Sequence, residues 1–327
     1  MQSCPLPCPP RVEDISHRVS VQPHARAQQT VVQAGEPGTW FGIVLTGDLI
    51  VELPNFELTV GPGTFIGEMT LWMEGTSRSA TMRGKEPGGM IATMLVDEVG
   101  GFVEKNPAVG AKLLSLMAGS AIGKQIDNMR RTLRNAATSS NRMELLDHGS
   151  GAEAESAAAA FTKMLSGEGF DAAESDAIAS AAQYGRFRSE QKLAQPGSSW
   201  PSYVAFILSG SLELSPWSLQ VDQGGIVGAM DYFGETYFGE TCSVKAVGDG
   251  RLATLSFAAL DTIIFANGAK GPLVEKLLKL MGGFAMLTCS SMTVTDADGA
   301  DRPLKQLSMV AERESQKAKT KEVRNEG

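Results

Sequence analysis

Residues 41–53 read FGIVLTGDLIVEL, and residues 204–214 read VAFILSGSLEL. The chain states one pattern twice: an apolar run, Thr-Gly or Ser-Gly, then a run of alternating polarity. Period-two alternation marks a half-buried strand, and a glycine between two such runs marks a tight turn or hairpin. The surroundings repeat too. A short strand candidate and a Pro-Gly turn precede each copy, in QTVVQAGEPG at 29–38 and QKLAQPG at 191–197. A glycine-rich turn follows each, GPG at 61–63 and GG at 224–225, and then one more glycine, Gly67 or Gly228. Each copy closes on a strand-like run, MIATMLV at 90–96 and RLATLSF at 251–257, and an acid-bearing helical segment comes next. The offset of about 160 residues makes each copy a whole domain and not a solenoid repeat.

Many short strands at turn spacing, with helices only at the ends, predict a mainly β fold with flanking helices (α+β). The expectation is two tandem antiparallel β-roll, jelly-roll-like domains, each followed by C-terminal helices. Residues 107–133 carry apolar side chains near helical spacing, with Pro107 suited to a first turn, and 272–287 begin the same way. The expected division is an unstructured segment 1–28, a first domain 29–135, a polar linker 136–156, a second domain 157–289 and a charged, mobile tail 290–327. Within the second domain, 157–188 read as two short helices.

Composition narrows the function. The 327 residues are 43% hydrophobic and 20% charged, as in an ordinary globular protein. The formal net charge of −8 argues against nonspecific nucleic-acid binding, which needs a basic surface. No apolar run approaches the ~20 residues of a membrane span, and MQSCPLPCPP lacks the basic start and apolar core of a signal peptide. The chain therefore reads as cytoplasmic, although a piece of a larger protein would read the same. Four cysteines are too few and scattered for a disulfide framework; Cys4 and Cys8 have metal-like spacing but no second pair, and read as free thiols. No HExxH or His/Cys/Asp cluster is present, and no nucleophile is accompanied by a base, so neither a metal cofactor nor an enzyme is expected.

One stretch departs from the strand pattern. Residues 61–81 read GPGTFIGEMTLWMEGTSRSAT, with one acid, Glu68, and one arginine, Arg78, ten positions later. The run FIGEMTLW suits a single helical turn starting at Gly67, whose free N–H groups would attract an anion. Arg78 could aim a planar fork at the same point, and arginine is the residue for bidentate phosphate capture. Glu68 would repel a phosphate and makes sense as an acceptor for a hydroxyl. Arginine for phosphate, glutamate for a sugar hydroxyl and apolar side chains nearby describe a nucleotide with a single negative charge.

This stretch resembles the phosphate-binding cassette of cyclic nucleotide-binding domains, whose pattern runs F-G-E-x-A-L, a short loop, then P-R-S/T/A-A. The family includes kinase regulatory subunits, cyclic nucleotide-regulated channels and the bacterial catabolite activator. The resemblance covers 29–133 well and 160–287 more weakly. It implies that Glu68 holds the ribose 2′-hydroxyl and Arg78 pairs the cyclic phosphate. Backbone N–H groups of Thr70 and Ser79 would complete the phosphate cradle, with Gly67 and Met69 in the turn. Leu71 would face the base, and an apolar residue of 107–133 would cap it. Three departures stand out: Ile66 enters between aromatic and glycine or takes the aromatic's place, Thr70 replaces a smaller alanine, and Ser77 replaces the proline before the arginine. Whether the ligand is cAMP or cGMP stays open.

The second copy differs. With Gly228 matched to Gly67, the acid position is Ala229, and the arginine position falls near Glu240 or Thr241. A carboxylate there opposes a phosphate. The phrase FGETCSV at 238–244, with Arg251 eleven residues after Glu240, imitates a cassette, but RLATLSF is needed as the closing strand. The second domain is therefore expected to bind no nucleotide.

The resemblance implies a regulatory protein that binds cAMP or cGMP in its first domain and signals through the trailing helix to a kinase, channel or scaffold partner. The alternative is a structural protein that keeps the tandem rolls without a ligand. A kinase-inhibitor sequence of paired arginines is not evident before the first domain; SHRVS at 16–20 has a single one. After residue 288 no helix-turn-helix pattern is seen, which disfavours a transcription factor.

Overall fold

A computed structural model describes residues 19–24, 28–53, 56–72, 77–132, 147–148, 151–194, 202–215, 219–233, 243–265, 271–293 and 305–307. Cys4, Cys8 and the SHRVS residues up to 18 lie outside them. The chain separates into two compact units, Met1–Leu113 and Leu114–Gly327.

The first unit holds β1 (Ser20–His24), β2 (Thr30–Val32), β3 (Trp40–Thr46), β4 (Leu49–Leu53), β5 (Phe56–Val60), β6 (Phe65–Ile66), β7 (Thr81–Gly84) and β8 (Gly89–Leu95). A four-residue helix, α1 (Met69–Trp72), sits between β6 and β7. A 3-10 turn (Val96–Glu98) and α2 (Val99–Lys105) follow β8, and α3 (Pro107–Thr132) then runs from the first unit into the second. The strands form two four-stranded sheets, in the orders β1-β8-β3-β6 and β2-β7-β4-β5, with every pair antiparallel. That is the strand order of a two-sheet jelly roll, which removes long free edges by wrapping the chain between sheets. One core lies between the sheets: Val44, Ile66 and Ile91 come from one, Leu49 from the other, with Val60 and Met82 packed against them.

The second unit repeats the plan. Its strands are β9 (Asp147–His148), β10 (Gln183–Phe187), β11 (Lys192–Ala194), β12 (Tyr203–Ser209), β13 (Leu212–Ser215), β14 (Leu219–Val221), β15 (Ile226–Val227), β16 (Ser243–Ala246), β17 (Gly250–Ser256) and β18 (Lys305–Leu307). Its helices are α4 (Ala152–Gly167), α5 (Ala172–Ala181), α6 (Ala229–Tyr232), α7 (Phe257–Phe265) and α8 (Gly271–Thr293). The sheets run β15-β12-β17-β10-β9 and β11-β16-β13-β14-β18, the first unit's orders with one strand added to each. The chain is mainly β with flanking helices. Asp171 and Glu174 start α5 with a reciprocal capping box, and the buried Glu174 carboxylate also accepts from Lys276 of α8 at 2.7 Å.

Four expectations need correction. The Thr-Gly and Ser-Gly turns do not close hairpins. Strand β3 pairs with β8 and β6, while β4 pairs with β5 and β7, so the chain turns a corner from one sheet into the other. Gly47, at φ 75°, and Gly210, at φ 81°, make the corners, each just after an irregularity in register, between Val44 and Thr46 or Ile207 and Ser209. Next, segment 1–28 was expected to lack structure, yet β1 pairs with β8 over Ser20–His24. Likewise β10 occupies part of the stretch read as helical. Both are first strands of their rolls. They are held by main-chain bonds to the last strand, so SVQPH and QYGRF need no alternating apolar signature, and Pro23 is tolerated because β1 is a sheet edge. Third, within the expected linker 136–156, β9 pairs with β10, and α4 already starts at Ala152. Last, the expected mobile tail returns β18, parallel to β14, and α8 runs on to Thr293.

Burial pushes the Tyr203 phenol up to about 12. The unfolded phenol ionises near about 10, so this stability is complete below about pH 10 and is lost as pH rises toward the folded value. Tyr203→Phe is expected to flatten the alkaline fall in stability between about pH 10 and 12, read from denaturant midpoints against pH. An unchanged slope would show that Tyr203 ionises as freely folded as unfolded.

Candidate functional site

The cassette stretch lies between β6 and β7. Gly67 has φ 70°, a left-handed conformation that glycine alone adopts without strain, and it turns the chain out of β6 into α1. Glu68 is 2% exposed and Arg78 7% exposed, so acid and base are both withdrawn from solvent. Arg78 sits against Gly67: a Cβ added there would overlap its Nη1 and lie 3.1 Å from the Trp40 carbonyl oxygen. Its Nη2 donates to Trp40 O at 2.6 Å, its Nη1 donates to Gly67 O at 3.3 Å, and its guanidinium lies 4.7 Å from the centre of the Trp40 ring.

The upstream GEPG turn explains how a loop arginine is held in place. Gly35 N–H donates to Arg78 O at 2.9 Å, and Arg78 N–H donates to Glu36 O at 2.8 Å. Pro37 and Ser77 form an isolated antiparallel bridge beside them. Thr70, bulkier than the alanine of the family pattern, fits because Gly38 has no side chain: a Cβ there would overlap Thr70 Cγ2. Its hydroxyl donates to Gly67 O at 2.7 Å.

Other expected site residues are placed as follows. Met69 is half-buried, and Leu71 is buried at 5% exposure. Thr70 N–H faces Gly67 O at 3.3 Å within the turn. Ser79 is exposed next to Arg78. Thus Gly67, Thr70 and Arg78 share the Gly67 carbonyl, and Glu68 acts on Arg78 electrostatically. Trp40 and Glu36 belong to the same constellation and have no local sequence signal. They lie 38 and 42 positions before Arg78, and only strand pairing brings them there.

Burial dominates the electrostatics. It pushes the Arg78 guanidinium below its ordinary range, and the charges of Glu68 and then Glu36 oppose that shift. Arginine keeps its proton in proteins, so this is a buried cation whose desolvation outweighs the opposite charge around it. Two of its five N–H groups donate to backbone carbonyls.

In the second unit, Gly228 has φ 86°, and α6 follows it as α1 follows Gly67. The acid position is Ala229, 2% exposed. Glu240 and Thr241 lie outside the described residues. Arg251 lies in β17, opposite Arg186 of β10, so the segment after Glu240 supplies a closing strand. Among the described residues no three His, Cys, Asp or Glu side chains are grouped to hold a metal ion, and no helix is long and apolar enough to cross a membrane.

No protein-family model matches the chain, and no curated protein matches it. Solved structures similar to it include the regulatory subunit of a cAMP-independent protein kinase A from Trypanosoma brucei, at 17% identity over 79% of this chain and 77% of that one, with a TM-score of 0.28. The regulatory domain of Toxoplasma gondii protein kinase A, crystallised with cAMP, is 16% identical over 82% of this chain and 87% of that one, with a TM-score of 0.28. The c-di-GMP responsive global regulator CLP of Xanthomonas campestris is 18% identical over 41% of this chain and 74% of that one, with a TM-score of 0.30.

Proposed function

We propose that the first unit is a cyclic nucleotide-binding regulatory module of the family its cassette resembles. The carrying observation is Arg78: a buried guanidinium, fixed by Trp40 O and Gly67 O, beside a buried glutamate. Its desolvation is unfavourable, and a phosphate monoanion would offset it. Glu68, ten positions away on the same turn, takes the ribose hydroxyl. The ligand is cAMP or cGMP, with no metal or other cofactor. Helix α3 carries the response to a partner such as a kinase, channel or scaffold. The shift it transmits is limited to the difference in ligand affinity between the two states.

One observation favours a second reading. The same two carbonyl bonds make Arg78 a tie between β3 and the cassette, as in a roll that keeps its fold without a ligand. Titration calorimetry with cAMP and cGMP separates the two. The first reading expects one nucleotide per chain, and it expects Glu68→Gln to weaken a ribose nucleotide more than its 2′-deoxy analogue. No heat with either nucleotide at millimolar concentration would leave the structural reading.

A further inference from the structure

The second unit carries three arginines beside one cleft, Arg186, Arg188 and Arg251. In a roll of antiparallel strands, successive connections alternate between its two ends. The α6 turn lies at one end. The connections β10–β11, β12–β13 and β16–β17 gather at the other, around an open cleft of about 740 Å³. Arg186, Arg188 and Arg251 line it, with Gln191, Ser209 and Asp249.

The three arginines form a compact group. Arg186 lies in β10 and Arg188 just beyond its end, and both line the cleft. Arg186 is directly opposite Arg251 in the β10–β17 register. Like charges in that relation destabilise a sheet. On its other side Arg186 stands opposite Asp147 of β9. Glu153 accepts from Arg186 at 3.2 Å, whereas Arg251 donates to the neutral Ser156 hydroxyl at 3.3 Å. Arg188 is exposed, and its guanidinium has no ion pair among the described residues. The Asp249 carboxylate accepts the Ser189 N–H at 2.8 Å and so ties two of the turns together.

The fold does not demand this charge. The first unit has the same strands in the same order, and its register partners at the matching place are Pro23 and Met90. Three positive forks therefore stand at one end of one roll, in a chain of formal net charge −8. From this we infer that the cleft binds a phosphoryl group, as a phosphomonoester or pyrophosphate. Planar guanidinium forks pair with tetrahedral, multi-oxygen anions through two bonds at a time. Gln191 and Ser209 add neutral donors. The chain's formal net charge of −8 disfavours an extended polyanion. The site lies in the other unit from Arg78 and does not depend on the reading of the cassette.

The test is titration of the full chain with inorganic pyrophosphate, O-phosphoserine and a phosphoserine peptide at low salt. Pyrophosphate is expected to bind, with affinity reduced about tenfold in Arg188→Gln and again in Arg251→Gln. Lys245→Gln, on the other sheet, is expected to leave it unchanged. Thermal midpoints of the variants confirm folding, and Arg188, being exposed, carries no packing role. Equal binding of all three probes identifies a free phosphate ligand, and a preference for the peptide identifies a phosphorylated partner. Absence of pyrophosphate binding at millimolar concentration would overturn the inference. So would affinity unchanged in both cleft variants.

Discussion

Arg78→Ala is expected to abolish measurable cyclic nucleotide binding and also to destabilise the first unit by about 3 kcal/mol. Read from the sequence alone, Arg78 is a ligand group whose loss would spare stability. The structure corrects that expectation, because the side chain is buried and bridges two strands' worth of backbone. Removing it leaves the Trp40 and Gly67 carbonyls without their charged donor, and each such bond contributes about 1.5–3 kcal/mol. It also removes the guanidinium from the Trp40 ring, an interaction of about 0.5–2 kcal/mol. For a unit of this size the loss corresponds to a fall in Tm of roughly 10 °C or more. Arg78→Lys keeps the charge without the fork, so it should recover part of the stability and little of the binding. Thermal scans with and without nucleotide read both effects. A variant as stable as the wild type would show that the two carbonyl bonds are not held in solution. A stable variant that still binds would end the cassette reading.

Gly67→Ala is the second large effect. At φ 70° an alanine pays about 1–2 kcal/mol for the left-handed conformation. Its Cβ would also overlap Arg78 Nη1, so the guanidinium has to leave its two acceptors. The combined cost is expected to exceed about 3 kcal/mol, with nucleotide binding lost. Gly228→Ala is the internal control. It has φ 86° in the matching turn, where the next residue is Ala229, so the same conformational cost of about 1–2 kcal/mol applies there. Denaturant midpoints of the two variants give the difference directly. Equal destabilisation would mean that Gly67 is not the seat of Arg78.

The Gly67 and Gly228 turns also show what could be read from the chain. Both follow from their place after a glycine-rich turn in a repeated pattern, and both have positive φ. Closing strands β8 and β17, and helices α3 and α8, were legible for the same reason: periods of 2 and 3.6 and the signals of proline and glycine act within a few residues. Glu68 and Arg78 could be singled out because both stand in the 61–81 run that departs from the strand pattern. Strands β1 and β10 were not legible. Each pairs with a closing strand about 70 residues away in sequence, and main-chain bonds to that strand leave no local side-chain signature.

The sequence by itself determined the two-fold repeat, the mainly β character, the two cassette-like turns and the loss of the acid at Ala229. Each is set by local residue chemistry. Tertiary structure alone decided three further things. It sent β3 and β4 to opposite sheets through the Gly47 corner, because strand partners are chosen by burying both faces in one core. It placed Trp40, Glu36 and Gly38 around Arg78 and Thr70, since a carbonyl acceptor or a missing Cβ has no signature in the intervening residues. And it set Arg186 opposite Arg251 across 65 residues, where the register of two strands fixes which charges meet.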